Sequence, residues 1–422
     1  MLDINYIREN KEEVKKGVAA KQIDAKIVDE VLALDEKRRK LILEIEEIRA
    51  KRNKIAKEGK TSDEGRKIKE ELKDLEPKLS EVEKKYQETL FQIPNPPAND
   101  VKVGKNDTEN EVIRKHGEPT DFEFDAKDHV ELGTKLGIID IDRAVKVSGA
   151  RFTYLKGDGV MLELALVNFA METLMKEGFI PVIPPTLIKT ENMRGMGYME
   201  HGGADDMYVL DKDGLVLVGT SEQSIGPMHS NETLSAKELP LRYAGFSSCF
   251  RREAGSYGKD TKGILRMHQF DKVEMFSYVK PEDSDKEHEF LLDIEEKLLQ
   301  ALKIPYQVIK MCSGDLGLPA ARKYDLEAWI PTQGKYRELT STSTVTDFQA
   351  RRLNIKYQDR GETKYLHMLN GTAFAVGRTI IAIIENYQQK DGSILVPKVL
   401  QKWMGKDTIK KRRAEEKSEA TS

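Results

Sequence analysis

Residues 249–275 read CFRREAGSYGKDTKGILRMHQFDKVEM, which predicts a strand, a glycine-rich polar loop and a returning strand. Side chains two residues apart in a strand point the same way, so Arg251 and Glu253 are predicted to share one face. Phe270 and Glu274 likewise share a face of the returning strand. An arginine on a rigid strand can bind a phosphate through two parallel hydrogen bonds, and a nearby phenylalanine can stack on a base. The hairpin therefore predicts an anion or nucleotide site, with a salt-bridged surface hairpin as the alternative.

The sequence around this hairpin predicts an α+β fold. Short β-type runs and helical segments follow one another without strict alternation, which favours an antiparallel β-sheet flanked by helices. The predicted strands are 215–218, 241–250, 272–278 and 306–311, and the predicted helices are 161–177, 283–301 and 373–388.

A second distinctive segment, residues 370–386, reads NGTAFAVGRTIIAIIEN. Asn370-Gly371 predicts a turn, and a long apolar helix is predicted after it. Arg378 lies within that apolar helix. Burying an arginine is costly unless an anion meets it, so its partner is either a bound anion or an acidic side chain.

The N-terminal part predicts a helical hairpin. Asp3 caps a short helix expected within residues 1–26, and a heptad seam then runs from Ile27 to Ile55 and again from Ile68 to Ile93. Turn residues at 58–65 separate the two halves, so the helices must fold back as an antiparallel arm about 45 Å long. A dimerising coiled coil is the alternative.

Charge is distributed unevenly along this arm. Residues 28–93 carry 17 basic and 17 acidic side chains, but residues 49–69 carry nine basic against three acidic ones. A rod with a cationic end suits a nucleic-acid backbone, where each neutralised phosphate releases counterions. The candidate RNA contacts are Arg49, Lys51, Arg52, Lys54, Lys57, Arg66, Lys67 and Lys69.

The composition indicates the number of domains and the cellular location of the chain. The 422 residues are 33% charged and 39% hydrophobic with a net charge of −3, which predicts two or three globular domains. No start-of-chain signal and no apolar run of about 18 residues is evident, so no membrane association is expected. Two cysteines are too few for a disulfide framework, which favours a reducing, cytoplasmic location. The proline-rich segment 94–97 predicts domains at 1–98 and 99–405, followed by a charged, disordered tail at 406–422.

The segments 249–275 and 370–386 resemble motifs 2 and 3 of class II aminoacyl-tRNA synthetases, and their detail is similar to that of seryl-tRNA synthetases. The spacing of Gly178, Phe179, Val182 and Pro185 resembles motif 1, which lies at the dimer interface of this family. The likeness extends over roughly residues 1–405, because the arm also matches. Three places depart from the family pattern: Glu177, the loop 197–204, and the segment 340–344.

The resemblance implies ATP-dependent activation of L-serine to seryl-adenylate and transfer of the seryl group to tRNA(Ser). Charging of tRNA(Sec) is left open. The implied cofactors are ATP and Mg²⁺, the implied assembly is a homodimer, and no zinc is expected.

The family's functional residues carry over to positions that match its motifs. The implied catalytic residues are Arg251, Glu338 and Arg378, and Glu338 and Ser341 are the implied Mg²⁺ ligands. The implied serine pocket consists of Thr220, Ser221, Glu222, Glu274, Asn370 and Thr372. The implied ATP contacts are Arg251, Arg252, Glu253, Arg266, Met267, Phe270, Glu338, Leu339, Thr340, Ser341 and Arg378.

Three other functions compete with this interpretation. An amino-acid:carrier-protein ligase descended from the family would lack the N-terminal arm. A non-catalytic tRNA-binding relative would have lost the motif arginines, and a coiled-coil scaffold would use the arm alone. The structural alternative for Glu222 and Glu274 is ordinary surface charge.

Overall fold

The computed structural model describes residues 1–57, 63–254 and 263–411. The chain divides into two compact units, with the boundary between Pro96 and Pro97. Three predicted features lie outside the described residues: most of the turn at 58–65, positions 255–262 of the polar loop, and positions 412–422 of the tail.

The first unit consists of helices α1 (Ile4–Glu9), α2 (Lys11–Ala20), α3 (Lys26–Lys57) and α4 (Asp63–Gln92). Asp3 caps α1 as predicted, since its carboxylate accepts the backbone N–H of Asn5 at 2.7 Å. The prediction of one helix in this region is wrong, because Asn10 leaves helical geometry at φ −121° and ψ 36° and divides it in two.

The predicted helical hairpin is confirmed by α3 and α4. The seam residues Ile45, Ile48, Ile68 and Leu72 form one buried cluster between the two helices. Arg38, which interrupts the apolar seam, bonds Glu83 at 3.1 Å. At 32 residues, α3 is about 48 Å long.

The second unit is built of short helices and a large sheet. Its helices are α5 (His129–Lys135), α6 (Ile141–Ser148), α7 (Asp158–Lys176), α8 (Thr190–Met196), α9 (Glu222–Ile225), α10 (Ser284–Leu302), α11 (Phe348–Leu353), α12 (Val376–Asn386) and α13 (Gln401–Met404). Its strands are β1 (Glu111–His116), β2 (Ile139–Asp140), β3 (Tyr154–Leu155), β4 (Ile180–Val182), β5 (Leu187–Lys189), β6 (Val209–Leu210), β7 (Leu215–Leu217), β8 (Thr233–Ser235), β9 (Leu241–Phe250), β10 (Gln269–Val279), β11 (Tyr306–Lys310), β12 (Arg322–Ile330), β13 (Lys335–Thr344), β14 (Lys356–Asp359), β15 (Glu362–Tyr365), β16 (His367–Ala375), β17 (Ile394–Leu395) and β18 (Thr408–Ile409).

The central sheet has eight strands in the order β1-β11-β12-β13-β16-β10-β9-β4. All its neighbouring strands are antiparallel except β4 and β9, which run parallel. Helices α7, α10 and α12 contribute to the largest buried cluster with this sheet. The predicted α+β fold, with an antiparallel core flanked by helices, is confirmed.

Two predictions near the C-terminus differ from the structure: the turn at Asn370-Gly371 and the start of the tail at position 406. Asn370-Gly371 is not a turn but lies inside β16, and α12 begins only at Val376. A side chain at position 371 would be crowded, because a Cβ there would lie 3.0 Å from Oε1 of Glu295 and 3.2 Å from Oγ1 of Thr342. The folded part also extends past position 405, since β18 pairs with β17.

A pair of carboxyl groups lies between α7 and the sheet. Glu163 of α7 is half-buried and faces Asp271 of β10, whose carboxylate also accepts the hydroxyl of Ser248 at 2.5 Å. Burial, and then the neighbouring Asp271, raise the pKa of Glu163 to about 8.

Replacing Glu163 with glutamine should flatten the pH dependence of stability on the alkaline side. Because the folded-state pKa is raised, the stability contributed by Glu163 is complete below its ordinary pKa of 4.5 and is lost as the pH rises through about 8. Melting temperatures at pH 6 and pH 9 should therefore differ less in Glu163→Gln than in the wild type.

The matched control is Glu172→Gln on the same helix. Lys176 and Lys402 hold the pKa of Glu172 down at about 2, so its stabilisation is lost on acidification instead. An unchanged alkaline slope in Glu163→Gln would contradict the assigned protonation of this pair.

Candidate active site

A cavity of about 410 Å³ opens on the part of the sheet formed by β9, β10, β13 and β16. Most side chains that the sequence assigns to ATP and serine line it together. They are Thr220, Glu222, Arg251, Glu253, Arg266, Met267, Phe270, Glu274, Glu338, Leu339, Ser341, Asn370, Thr372 and Arg378.

Three assigned residues do not line this cavity. The buried hydroxyl of Ser221 donates to the backbone oxygen of Gly245 at 3.3 Å. The guanidinium of Arg252 lies over the ring of Tyr208 at 5.9 Å. The side chain of the third residue, Thr340, points to the face of the sheet that lies away from the cavity.

The position of Thr340 follows from a β-bulge in β13. The pairing of β12 with β13 skips Leu339, which reverses the alternation of side chains at that point. Glu338 and Ser341, three residues apart, therefore both line the cavity. Thr340 faces the opposite side and donates its hydroxyl to Glu295 at 2.8 Å.

The prediction that Arg251 and Glu253 share one face of a strand is wrong, although both residues line the cavity. Strand β9 ends at Phe250, and Glu253 has a left-handed backbone at φ +55°. Arg251 instead donates from Nε to the backbone oxygen of Gly219 at 3.2 Å, and its guanidinium lies 5.3 Å from the ring of Phe270.

Two ion pairs connect the predicted ATP residues. Glu253 accepts from Arg266 at 2.8 Å, and Glu338 lies 3.1 Å from Arg378. Of the two partners expected for Arg378, the structure shows the acidic side chain. Burial opposes ionisation of Glu338, but the positive charges of Arg378 and Lys323 outweigh it and lower the pKa to about 2. Glu338 is thus an anion at all physiological pH values.

The other end of the cavity holds two buried carboxylates. Glu222 is 2% exposed and Glu274 is 1% exposed, so the surface-charge alternative is wrong. Glu274 accepts the hydroxyl of Thr372 at 3.2 Å, and its second neighbour is Lys272, 3.4 Å away. A pocket of this kind favours a ligand that carries an ammonium group and a hydroxyl donor.

Further polar side chains of this site, beyond those predicted from the sequence, include two lysines and two groups that bond Glu222. Lys272 and Lys323 line the cavity, Tyr198 bonds Glu222 at 2.7 Å, and Gln349 bonds Glu222 at 3.3 Å. Lys272 precedes Glu274 by two positions on one strand, so spacing alone could have found it. The other three come from segments distant in sequence, and no local pattern marks them.

A buried histidine fixes the segment that leads back into the cavity. Nδ1 of His129 lies 2.9 Å from Glu385, and Nε2 accepts the backbone N–H of Ile264 at 3.3 Å. The neighbouring Gly263 has φ +80°, and a Cβ there would lie 2.1 Å from Nε2. This contact fixes the start of the segment that carries Arg266.

Replacing His129 with alanine should weaken ATP binding more than serine binding. The backbone N–H of Ile264 would lose its buried acceptor, and the segment that carries Arg266 would shift. We expect the KM for ATP to rise about tenfold, measured by ATP–pyrophosphate exchange, because small displacements in a site are costly. His116→Ala, on the exposed strand β1, is the control, and equal KM values in both variants would refute the role of His129.

The eight basic residues assigned to RNA are exposed on α3 and α4. Arg49 forms a cross-helix ion pair with Glu76 at 2.8 Å. Within the described ranges, no helix has the length and apolarity needed to cross a bilayer.

Comparison with known proteins first gives the class. Residues 208–387 match the family model "tRNA synthetase class II core domain (G, H, P, S and T)". The fold is also similar to that of a Giardia lamblia prolyl-tRNA synthetase, with a TM-score of 0.55 and 17% identity over 64% of this chain and 53% of that one. The sheet and its cavity are therefore those of a class II aminoacyl-tRNA synthetase core.

Closer similarities identify the family. Residues 1–97 match the "Seryl-tRNA synthetase N-terminal domain". Serine–tRNA ligases of Dictyoglomus turgidum and Streptomyces coelicolor are 44% and 47% identical, over 97% and 96% of this chain and 99% and 98% of theirs. The crystal structure of Pyrococcus horikoshii seryl-tRNA synthetase complexed with ATP has a TM-score of 0.92 and 42% identity, over 98% of this chain and all of that one. The chain belongs to the seryl-tRNA synthetases, the ATP-dependent ligases that join serine to tRNA(Ser).

Proposed function

We propose that the cavity holds ATP and L-serine side by side and that the residues lining it carry out serine activation. The observation that supports this most directly is the placement of Arg251 in the same cavity as the carboxylates Glu222 and Glu274. A serine carboxylate oxygen attacks the α-phosphorus, the bond to the β-phosphate oxygen breaks, and pyrophosphate leaves. The 3′-terminal ribose hydroxyl of the tRNA then attacks the seryl carbonyl, and AMP leaves.

Both substrates bring negative charge to the reacting atoms, so the protein must align them and offset their repulsion. Arg251 bridges the α-phosphate and the serine carboxylate in this proposal. Phe270 and Arg378 stack on the two faces of adenine, and Arg266 approaches the triphosphate. Glu253 holds the adenine end.

Mg²⁺ is the proposed metal cofactor, with Glu338 and Ser341 as its protein ligands. The bulge at Leu339 brings both oxygens to the cavity, and Glu338 is ionised, so the donors fit a hard cation that takes few protein ligands. When bound, Mg²⁺ offsets phosphate charge during the transfer.

The serine pocket consists of Thr220, Glu222, Glu274, Asn370 and Thr372 in this proposal. Its buried carboxylates accept hydrogen bonds from the ammonium and hydroxyl groups of serine. Glycine and alanine lack the hydroxyl and would leave a buried acceptor unpaired, so discrimination of about 10⁴–10⁵ is within reach of such a site.

Replacing Arg251 with glutamine should lower serine-dependent ATP–pyrophosphate exchange by about 10²–10³-fold, because one preorganised donor to the developing charge is lost. Arg360→Gln, in the exposed turn between β14 and β15, should leave exchange unchanged. Exchange that survives undiminished in Arg251→Gln would overturn the proposed chemistry.

We propose that the first unit, within the predicted domain 1–98, binds tRNA through the basic residues of α3 and α4. Contacts from exposed lysines and arginines address the phosphate backbone and carry little sequence information. The same contacts therefore suit tRNA(Ser) and, as a proposed second substrate, tRNA(Sec). Parallel charging assays with the two tRNAs test the second assignment.

Deleting residues 40–79 should separate the two steps of the reaction. Adenylate formation should persist, since the cavity is built entirely within residues 198–378, whereas charging of tRNA(Ser) should be abolished. In the full chain, charging should weaken with salt more than pyrophosphate exchange does, because only charging involves contacts with the tRNA backbone. Unchanged charging by the deletion variant would exclude the arm from tRNA binding.

A homodimer in the cytoplasm is the proposed state of the chain. Exposed apolar side chains lie on α7 and on the segment after it, which has the motif 1 spacing. Met161 is 41% exposed, Ile180 is 47% exposed and Ile183 is 85% exposed. Such a surface favours association.

Cys249 and Cys312 are both free and buried, which suits a reducing compartment.

A further inference from the structure

The loop 197–204 departs from the pattern of the family, and the proposed chemistry assigns it no role. Its central contact is with the serine pocket. The hydroxyl of Tyr198 donates to Oε1 of Glu222 at 2.7 Å, and Tyr198 itself lines the cavity.

A buried ion pair anchors this loop. The side chain of Arg352 in α11 is fully buried, and its Nη1 lies 3.2 Å from Oε2 of Glu200. The same nitrogen donates to the backbone oxygen of Arg194 at 2.9 Å. Breaking a buried pair of this kind is strongly destabilising, so the loop has one preferred position.

The backbone of the loop is equally constrained. Gly203 donates to the backbone oxygen of Glu200 at 3.1 Å, and a Cβ on Gly203 would lie 2.0 Å from the backbone oxygen of Tyr198. Gly197, at φ +84°, sits against the ring of Phe348. The turn is thus fixed on both sides of Tyr198.

Hydrogen bonds nearly saturate Glu222. Its Oε1 accepts from Tyr198 and, at 3.3 Å, from Gln349, while its Oε2 accepts from the amide nitrogen of Asn370. An ionised carboxylate offers about four acceptor positions, so these three donors leave about one for a ligand. That remaining position is on the oxygen bonded by Asn370.

The charge of Glu222 depends on the same donors. Burial and then the neighbouring Glu274 raise the pKa of Glu222, whereas the hydrogen bonds from Tyr198 and Gln349 and the positive charge of Lys272 lower it. Burial also raises the pKa of Tyr198 well above its ordinary value, although Arg251 opposes this, so the hydroxyl remains a donor.

We infer that Tyr198 is a positioning residue for serine: its hydroxyl keeps Glu222 oriented with one free acceptor toward the substrate ammonium group. This inference rests on the proposed serine site. Tyr198 acts through Glu222, so its removal affects the amino acid and not the nucleotide.

The test is Tyr198→Phe, which removes the hydroxyl and keeps the ring. Hydrogen bonds to charged groups are strong enough that kcat/KM for serine should fall about 10–100-fold in ATP–pyrophosphate exchange at pH 7. The KM for ATP should stay within about twofold of the wild-type value. The acidic limb of the pH profile of kcat/KM for serine should move to higher pH, because Glu222 loses a donor that favours its ionised form.

Two variants separate positioning from general structure. Tyr208→Phe, outside the cavity, should change neither the serine parameters nor the pH profile. Glu200→Gln weakens the anchor of the loop and should raise the KM for serine in the same direction as Tyr198→Phe.

The outcomes are distinct. Tyr198→Phe with unchanged kcat/KM for serine would overturn the inference, and so would an equal loss toward ATP and serine without a shift of the acidic limb. Failure of the wild type to catalyse serine-dependent exchange would instead overturn the proposed function.

Discussion

Two carboxylates, Glu222 and Glu274, are buried in one cavity, and the construction of the site depends on supplying such groups with hydrogen-bond donors or a positive charge away from water. An unpaired buried carboxylate would take up a proton. Here Tyr198, Gln349 and Asn370 bond the first, while Thr372 and Lys272 adjoin the second. These donors come from four separate segments, so the fold of the whole catalytic unit is needed to bring them together.

At the nucleotide end, charge is balanced by ion pairs. Arg378 holds Glu338, and Arg266 holds Glu253. In each pair the two side chains hold one another in place at the wall of the cavity. Charges that are fixed in this way need little reorientation during a reaction, which is the general source of electrostatic catalysis in acyl and phosphoryl transfer.

Much of the fold could be predicted from the sequence because its signals are local. The heptad seam marks α3 and α4, and the β-type run 241–250 coincides with β9. The errors arise where tertiary contacts override local preference. Asn370-Gly371 has the composition of a turn, but its neighbours in β10 and β13 pair it into a strand.

The residues of the candidate site likewise fall into those that the sequence marks and those that only the fold brings together. Motif residues such as Arg251 and Arg378 are recognisable by their type and spacing. The roles of Tyr198 and His129 are not, since each contacts a residue more than twenty positions away. Thr340 illustrates a third case, in which the residue type suits the site but the bulge at Leu339 turns it away.

Because of the bulge at Leu339, the number of residues between Glu338 and Ser341 matters as much as their types. If β13 kept all its residues but paired regularly, without the bulge, Glu338 and Ser341 would point to opposite faces because they are three residues apart. The hydroxyl of Thr340, which now bonds Glu295, would then share a face with Glu338. The number of residues between Glu338 and Ser341 is therefore matched to the bulge, so a change in one requires a change in the other.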